Sequence, residues 1–506
     1  MERVTGKGWN MIRYKLAFPE FLFSGIFIAC LFLCSGCNSS VSEKSFRDEN
    51  YWKDQALTDI IPYWSKFAVD HQHGGFYTNL DAHWQTFGDS SKYPSMISRH
   101  LFGYSVAYML SGDEQYLKVA EETKNYLLSK AWDKEYGGWF DLLSVSGNPL
   151  QTSKSIFVQV YTITGLTLYY FITHDPEVLD YIEQSNKLLE SIGWDSLSAG
   201  YYSVFNRDWS VKDSTKSFSS VVPPVSGHLL YLYLATRQDE YLKQADRIMT
   251  TVLDKMKDKH TGWILESFTP GWDYINPDSN ENEINTGHNI EAAWMWLRLN
   301  LIKKNPAFRQ AAVSLADQLH QLAYKTTSGL WPNAVANNSS GRYTPYTYWW
   351  IQAYGLMLDL NLYKTTGSIS YLNSFDRGAR LWDSGFVDKI NGDTHFAIWE
   401  DGRIKDSVKA GPYKASYHNM EHALLNHLYT ALWVNHHPVV LYFNIKKSKQ
   451  GDKLYPLPIE GDDYQISKVW IDDNLYPGVR EGNLYIELPS LNNARIKVEL
   501  QSGKSD

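Results

Sequence analysis

From about Asn50 to Asn435, apolar residues recur every three or four positions. Leu117, Ala120 and Tyr126-Leu127-Leu128 keep this spacing, and so do Leu229-Leu230 and Leu232-Tyr233-Leu234. That period belongs to helices with one face against a core. Several runs stop at turns marked by Gly or Asp, such as Ser111-Gly112-Asp113 and Thr366-Gly367, as helix ends do. After His436-His437-Pro438 the pattern changes to short β-prone runs at 439–445, 465–471, 484–488 and 494–500, separated by turn clusters. The pattern predicts a helical body over 50–435 and a small β-rich domain over 436–506. Four strands are marginal alone, so this domain is expected to pack on the helical body.

A glycine turn flanked by aromatics and polar residues recurs through the helical part. The turns are His73-Gly74-Gly75-Phe76, Tyr136-Gly137-Gly138-Trp139, Ala199-Gly200-Tyr201-Tyr202, Thr261-Gly262-Trp263, Ser328-Gly329-Leu330-Trp331 and Asn391-Gly392-Asp393. Their first glycines are 63, 63, 62, 67 and 63 residues apart. A fixed period marks one supersecondary unit repeated. About 63 residues hold two ordinary helices and their loops. Six such hairpins in a ring make a double-layered helical toroid with a central funnel.

The N-terminus carries Arg3, Lys7, Arg13 and Lys15, then an apolar stretch from Phe21 to Leu33. This has signal-peptide length and is short for a membrane span. Leu33-Cys34-Ser35-Gly36-Cys37 resembles a bacterial lipoprotein cleavage box, with its leucine one place early. The resemblance implies a signal over 1–36, lipidation of Cys37, a flexible tether over 37–49 and a lipid-anchored protein of the cell envelope. An ordinary cleaved signal is the alternative. Cys30, Cys34 and Cys37 are the only cysteines, so the folded body has no disulfide, thiolate metal site or cysteine nucleophile. The net charge of -8, with no basic block, argues against a nucleic-acid partner. Aromatic residues make up 15%, a composition that suits both helix packing and the flat faces of sugars.

Three histidines share a local grammar: Ser226-Gly227-His228, Thr286-Gly287-His288 and Ser416-Tyr417-His418. Each follows a potential Ser or Thr N-cap and opens an apolar run, which predicts a place in the first helical turn. There the helix dipole lowers the imidazole pKa and favours a neutral base. The three also share a phase with Arg99 and Trp350. Successive separations from Arg99 to His228, His288 and His418 are 129, 60 and 130 residues, and Trp350 follows His288 by 62. These positions are expected around one mouth of one funnel.

On these residues the chain resembles the N-acylglucosamine 2-epimerase family over roughly 50–435. Gly287-His288-Asn289-Ile290-Glu291 is similar to the family's G-H-D-I-E, and Tyr417-His418-Asn419 to its Y-H-N. Gly74-Gly75-Phe76 with Lys92 and Arg99 resembles its opening, and His228 the histidine of its H-L-x-x-L-E-A helix. Trp349-Trp350-Ile351-Gln352-Ala353 resembles W-W-P-Q-A-E. The resemblance implies an all-α (α/α)6 barrel and proton transfer at C2 of an open-chain reducing sugar. His288 and His418 are the implied acid and base acting through a cis-enediolate, with no metal or redox cofactor. Arg99 is expected to stabilise the enediolate, Glu291 to orient His288, and His228 to polarise the carbonyl or assist ring opening. Trp350, Gln352, Tyr354 and Tyr413 are the expected sugar contacts.

The chain departs from the family pattern where Tyr354 replaces a glutamate, Tyr413 a tryptophan and Glu421 an arginine. Epimerisation and aldose–ketose isomerisation use the same bases, so both stay open. Tyrosines beside histidines also suit a polysaccharide lyase. Asp81, Asp141 and Asp208 after glycine turns are possible glycosidase carboxylates, although such aspartates are commonly turn formers. A glycan-binding lipoprotein without turnover is a further alternative. His418-Asn419-Met420-Glu421-His422 spells an inverted zinc-peptidase motif, but the repeat phase already accounts for His418, and no metal site is assigned.

Overall fold

The computed structural model describes residues 45–276, 283–337, 341–478, 482 and 484–503. The expected signal over 1–36 and Cys37 lie outside the described residues.

Six outer–inner helix pairs follow one another in a ring. The inner helices are Pro94–Ser111, Ile156–Thr173, 218–236, Thr286–Lys303, Trp349–Thr366 and 417–435. The outer helices are 49–67, 114–131, 176–193, 239–256, Pro306–Leu322 and 369–386. Inner helices are apolar nearly all round because both sides are covered, whereas outer helices keep a polar outward face. Each inner helix ends on a residue in the left-handed region: Gly112, His174, Arg237, Lys304, Gly367 and His436. In four of the five returns an Asp, Asn or Ser then occupies the N-cap of the next outer helix; Asp113 and Asp175 accept the N–H groups of Gln115 and Glu177. This sharp return sets adjacent helices antiparallel.

The glycine turns occupy the opposite face, between each outer helix and the following inner one. Four residues ahead of most of these glycines, five at Gly200, an aspartate folds the turn around itself. Asp70, Asp133, Asp195, Asp258 and Asp388 each accept two successive backbone N–H groups. In four repeats the second carboxylate oxygen meets a buried lysine from the segment entering the inner helix. The pairs are Lys92–Asp70 at 2.6 Å, Lys154–Asp133 at 3.1 Å, Lys216–Asp195 at 2.8 Å and Lys409–Asp388 at 2.7 Å. Repeat five carries Lys325 at the aspartate position but keeps the same backbone bonds.

Tryptophans with left-handed backbones tie neighbouring turns together. Trp209 donates to Gly137 O, Trp272 to Ser198 O and Trp84 to Asn391 O. The last of these joins the first repeat to the sixth. Trp382 donating to Gln55 and Arg47 pairing with Asp376 close the same seam on the outer layer. Phe46 is buried and Asp48 caps the first helix, so residues 45–49 belong to the toroid and not to the expected tether.

The C-terminal region is a four-stranded antiparallel sheet in the order Val439–Ser448, Leu491–Ser502, Tyr464–Ile471, Asn474–Leu475. The first strand packs across the C-terminal ends of inner helices one and two, where Tyr108 donates to Phe443 O and Tyr442 lies against Gly112. The sheet therefore covers the end of the toroid away from the glycine turns.

Lys216→Met tests the turn lock. It leaves the Asp195 carboxylate buried without its cation, a loss of about 3–5 kcal/mol. A lower denaturation midpoint is expected, with partial recovery when Asp195→Asn is added. An unchanged midpoint in the single variant would show the pair to be dispensable.

Candidate active site

The starts of the inner helices surround a cavity of about 340 Å3 on the glycine-turn face. Its walls are mostly aromatic, including Phe157, Tyr161, Tyr348, Trp350 and Phe396. Among them stand Arg99, His288, Glu291 and His418. Five of the expected positions thus converge, counting Trp350. Tyr354 and Tyr413 join them, the first buried and the second 67% exposed at the mouth.

His288 lies in the first turn of inner helix four. The cap is Asn285, whose side chain accepts from His288 N, and not Thr286 as the Ser/Thr pattern predicts. Strand Glu283–Asn285 fixes that asparagine by pairing with Ala334–Ala336. The ring stacks on Phe218 at 4.2 Å between centroids, nearly parallel. Its Nδ1 lies 2.7 and 2.9 Å from the two oxygens of Glu266. An ionised carboxylate only accepts, so Nδ1 carries the proton and Nε2 is left for a substrate. The Glu266 carbonyl accepts from Phe218 N, so one segment positions both the carboxylate and the stacking ring. Burial alone pulls the His288 pKa down, but the charge and hydrogen bond of Glu266 raise it above its ordinary value. The neutral first-turn histidine expected from the dipole is overturned here by a carboxylate distant in sequence.

His418 has the opposite surroundings. Ser416 precedes inner helix six, but its hydroxyl meets His100 Nδ1 at 3.1 Å instead of capping the helix. The His418 ring packs on Tyr417 at 4.7 Å, Tyr354 at 5.3 Å and Trp350 at 6.3 Å. Its Nδ1 is buried without a hydrogen-bond partner. Burial, reinforced by the Arg99 charge, holds its pKa well below the ordinary histidine value. Trp350 also lies 5.6 Å from the His288 ring, so a single indole borders both histidines.

Arg99 lies over the Tyr161 ring, with 3.7 Å from guanidinium carbon to centroid, and donates to Tyr413 O at 3.4 Å. Its Nε is buried and unpartnered. A fixed, incompletely satisfied guanidinium is an anion-binding group. Glu291 accepts from Ser226 Oγ at 2.7 Å, and burial raises its pKa.

Three expected roles are corrected. Glu291 lines the cavity but bonds Ser226, and Glu266 takes the orienting place at His288 Nδ1. Gln352 is fully buried; it accepts from Trp331 N and donates to Gly329 O and Gly378 O, so it braces a glycine turn and does not line the cavity. His228 is also fully buried and does not line the cavity; burial lowers its pKa to about 3, and both ring nitrogens lack partners. The connection before inner helix three is short, so His228 falls ten residues into that helix and Ser219 faces the cavity instead. Ser226 accordingly sits inside this helix and does not cap it.

The inverted zinc motif does not converge. His422 is wedged between Trp52 and Trp382, Glu421 accepts from Tyr231, and only His418 faces the cavity. Asp81 and Asp208 accept local backbone N–H groups, as turn formers do, whereas Asp141 accepts from Ser153 and Ser155 across the connection to inner helix two. Sequence reasoning missed Glu266. Its signal was an acid four residues after a turn glycine, the phase also held by Asp141, which bonds the N–H and hydroxyl of Ser155 at the start of inner helix two.

Glu266→Gln is expected to drop the His288 pKa from above to below its ordinary value, read by nuclear magnetic resonance titration of the ring nitrogens. The raised pKa also makes this pair stabilise the fold fully below pH about 6.5 and progressively less as pH rises through the folded value. Equal His288 pKa values in the two proteins would remove Glu266 from the account.

The profile of the family described as N-acylglucosamine 2-epimerase (GlcNAc 2-epimerase) matches residues 74–422. A cellobiose 2-epimerase of Bacteroides fragilis is 26% identical over 391 residues, covering 72% of this chain and 95% of the relative. The structure of cellobiose 2-epimerase from Bacillus thermoamylovorans B4167 superposes with a TM-score of 0.68 at 23% identity, over 75% of this chain and 98% of that one. A D-mannose isomerase structure gives 0.69 at 20% identity, over 76% and 99%. These likenesses agree with the (α/α)6 toroid described above. The chain belongs to the N-acylglucosamine 2-epimerase family and is an enzyme of the carbohydrate epimerase and isomerase class.

Proposed function

We propose that this enzyme moves a proton at C2 of an open-chain reducing sugar through an enediolate, with His418 and His288 as the proton-transfer pair. One observation carries the reading: two histidines in opposite electrostatic surroundings border one aromatic cavity beside a fixed arginine. The cavity is at the small end of the usual ligand range of about 300–1,000 Å3, which suits a small sugar.

In this mechanism neutral His418 removes the C2 proton. The electron pair moves into the C1–C2 bond, and the C1 oxygen gains the negative charge. Arg99 stabilises that oxygen, because its charge is already in place and needs little reorganisation. His288, kept protonated by Glu266, delivers a proton to the other face of C2 and completes epimerisation. Return of the first proton to C1, with the hydroxyl proton on the C2 oxygen passing to the C1 oxygen, gives the ketose instead. Trp350 and Tyr354 pack on the sugar, and the buried Glu291 carboxyl is a hydrogen-bonding wall. The relatives' names make disaccharides of the cellobiose type and monosaccharides such as mannose the first substrates to try.

A panel of reducing sugars in deuterated solvent tests this. Deuterium at C2 is expected with at least one sugar. His288→Asn and His418→Asn should each lower exchange about 10²–10⁴-fold, and Arg99→Met should lower kcat about 10²-fold. No exchange over the panel, or an unsaturated ultraviolet-absorbing product from a uronate polymer, would overturn the reading.

We also infer that Cys37 is lipidated and anchors the enzyme in the cell envelope, on the strength of the basic, apolar and Leu33–Cys37 sequence pattern. Cys37→Ala should abolish incorporation of labelled palmitate and release the protein from the membrane fraction. Equal labelling of both proteins would refute the anchor.

A further inference from the structure

Beneath the cavity, the toroid axis holds a buried charge supplied from outside the family-matched segment. Residues 455–463 of the C-terminal region cross the far end of the toroid without regular structure, and 456–460 are buried. Glu460, 1% exposed, meets Arg298 of inner helix four, which is fully buried; Arg298 Nε donates to Glu460 at 2.5 Å. A guanidinium cannot shed its charge, so burial requires a partner. The family match ends at residue 422, and Glu460 lies beyond it.

Two paths lead from Arg298 toward the cavity. In the first, its guanidinium carbon is 5.1 Å from the Tyr231 ring, and the Tyr231 hydroxyl donates to Glu421 at 2.8 Å. Glu421 follows His418 by three residues on inner helix six. In the second, the guanidinium is 5.0 Å from Trp294, Trp294 is 5.2 Å from Tyr354, and Tyr354 is 5.3 Å from His418.

We propose that Glu460 is a positioning residue for the sugar site: by occupying Arg298 it sets the charge of Glu421 and holds the Trp294–Tyr354 wall against His418. The proposal rests on the sugar reading above.

The physical reason is competition of two carboxylates for one cation. Glu460 takes the direct ion pair, and Glu421 is left with the Tyr231 hydroxyl. Burial pushes the Glu421 carboxyl up to about 7, while the Arg298 charge pulls the other way. The groups facing Glu421 are Tyr231, Arg298 and Glu291 from inner helices three and four, Tyr161 and Tyr354 from two and five, and Tyr417 on its own helix. Removing the Glu460 charge frees Arg298 to favour ionised Glu421, so its titration should move down. Removing both Glu460 and Arg298 takes the cation away, so its titration should move up.

Glu460→Gln and the double variant Arg298→Met/Glu460→Leu test this in the full chain, since an apolar pair replaces a buried ion pair without leaving a lone charge. The carboxylic-acid infrared band of Glu421, assigned by its loss in Glu421→Gln, is followed against pH beside the pH profile of C2 exchange. Midpoints moved about one pH unit in opposite directions are expected, each unit being a tenfold change in proton affinity. Unchanged midpoints in folded variants would overturn the proposal. If Glu460→Gln does not fold, the double variant decides alone: an upward move supports the proposal and none refutes it. Absence of exchange in the unsubstituted protein would overturn the sugar reading, while the infrared shifts would still decide the coupling.

Discussion

The buried lysine–aspartate pair is the contact on which the architecture turns. In each of four repeats it joins the glycine turn after an outer helix to the segment that starts the next inner helix. The aspartate satisfies turn N–H groups with one oxygen and the lysine with the other, so two chain segments share one carboxylate. Neither charge is left in low dielectric, where an isolated one is costly. Asp133 is held down to about 2 in spite of its burial, chiefly through hydrogen bonds from Arg207, the Glu135 N–H and Lys154, so this lock persists until strongly acid pH and weakens only as pH falls toward that value. The lock fixes where inner helices one, two, three and six begin, and the first turns of these helices and of four and five make the cavity.

A ring built from one repeated lock would be uniform, so chemical asymmetry must come from single positions. Asn289, Gln352 and Asn419 brace their glycine-turn segments from the starts of inner helices four, five and six. The residue before the first and last of these is a histidine that faces the cavity. Repetition supplies placement at a fixed cost in sequence, and single positions in the repeats change the chemistry of the cavity wall. His288 and His418 show how far this goes: both are first-turn imidazoles at one cavity, His418 buried and His288 part-buried, yet Glu266 raises one while the Arg99 charge adds to the lowering of the other. The helix dipole, which is the same for both, cannot provide such a difference; neighbouring charges do.

The fold was readable because its determinants are periodic and local. Apolar spacing located the helices, the glycine turns counted the repeats, and the shift after residue 438 located the sheet. The shared phase of the repeats brought Arg99, His288, Trp350 and His418 to one cavity. It failed at His228 because the linkers before the inner helices differ in length, and equal spacing from a glycine does not mean equal depth in a helix. The sugar contact that the family resemblance implied for Gln352 met a different obstacle: a polar residue near a site motif can serve the backbone that builds the site. Glu266 and Glu460 were not legible as partners of His288 and Arg298, because pairing across 22 and 162 residues is decided by tertiary approach.

This difference in legibility follows from the physics of burial. A periodic apolar pattern states which face goes inward and needs no knowledge of its neighbour. A buried charge is defined only by its neighbour, and the same glutamate is a solvated surface group or a pKa-setting partner according to what folds against it. Arg298 is the clearest case here. Read alone it is one arginine in an apolar helix, a position hard to justify in a toroid core. Its justification lies beyond the family-matched segment, in a loop of the C-terminal sheet, so the helical ring and the sheet must be considered as one electrostatic body. A toroid that admitted Arg298 without Glu460 would carry an unpaired charge on its axis, one Tyr231 side chain away from Glu421.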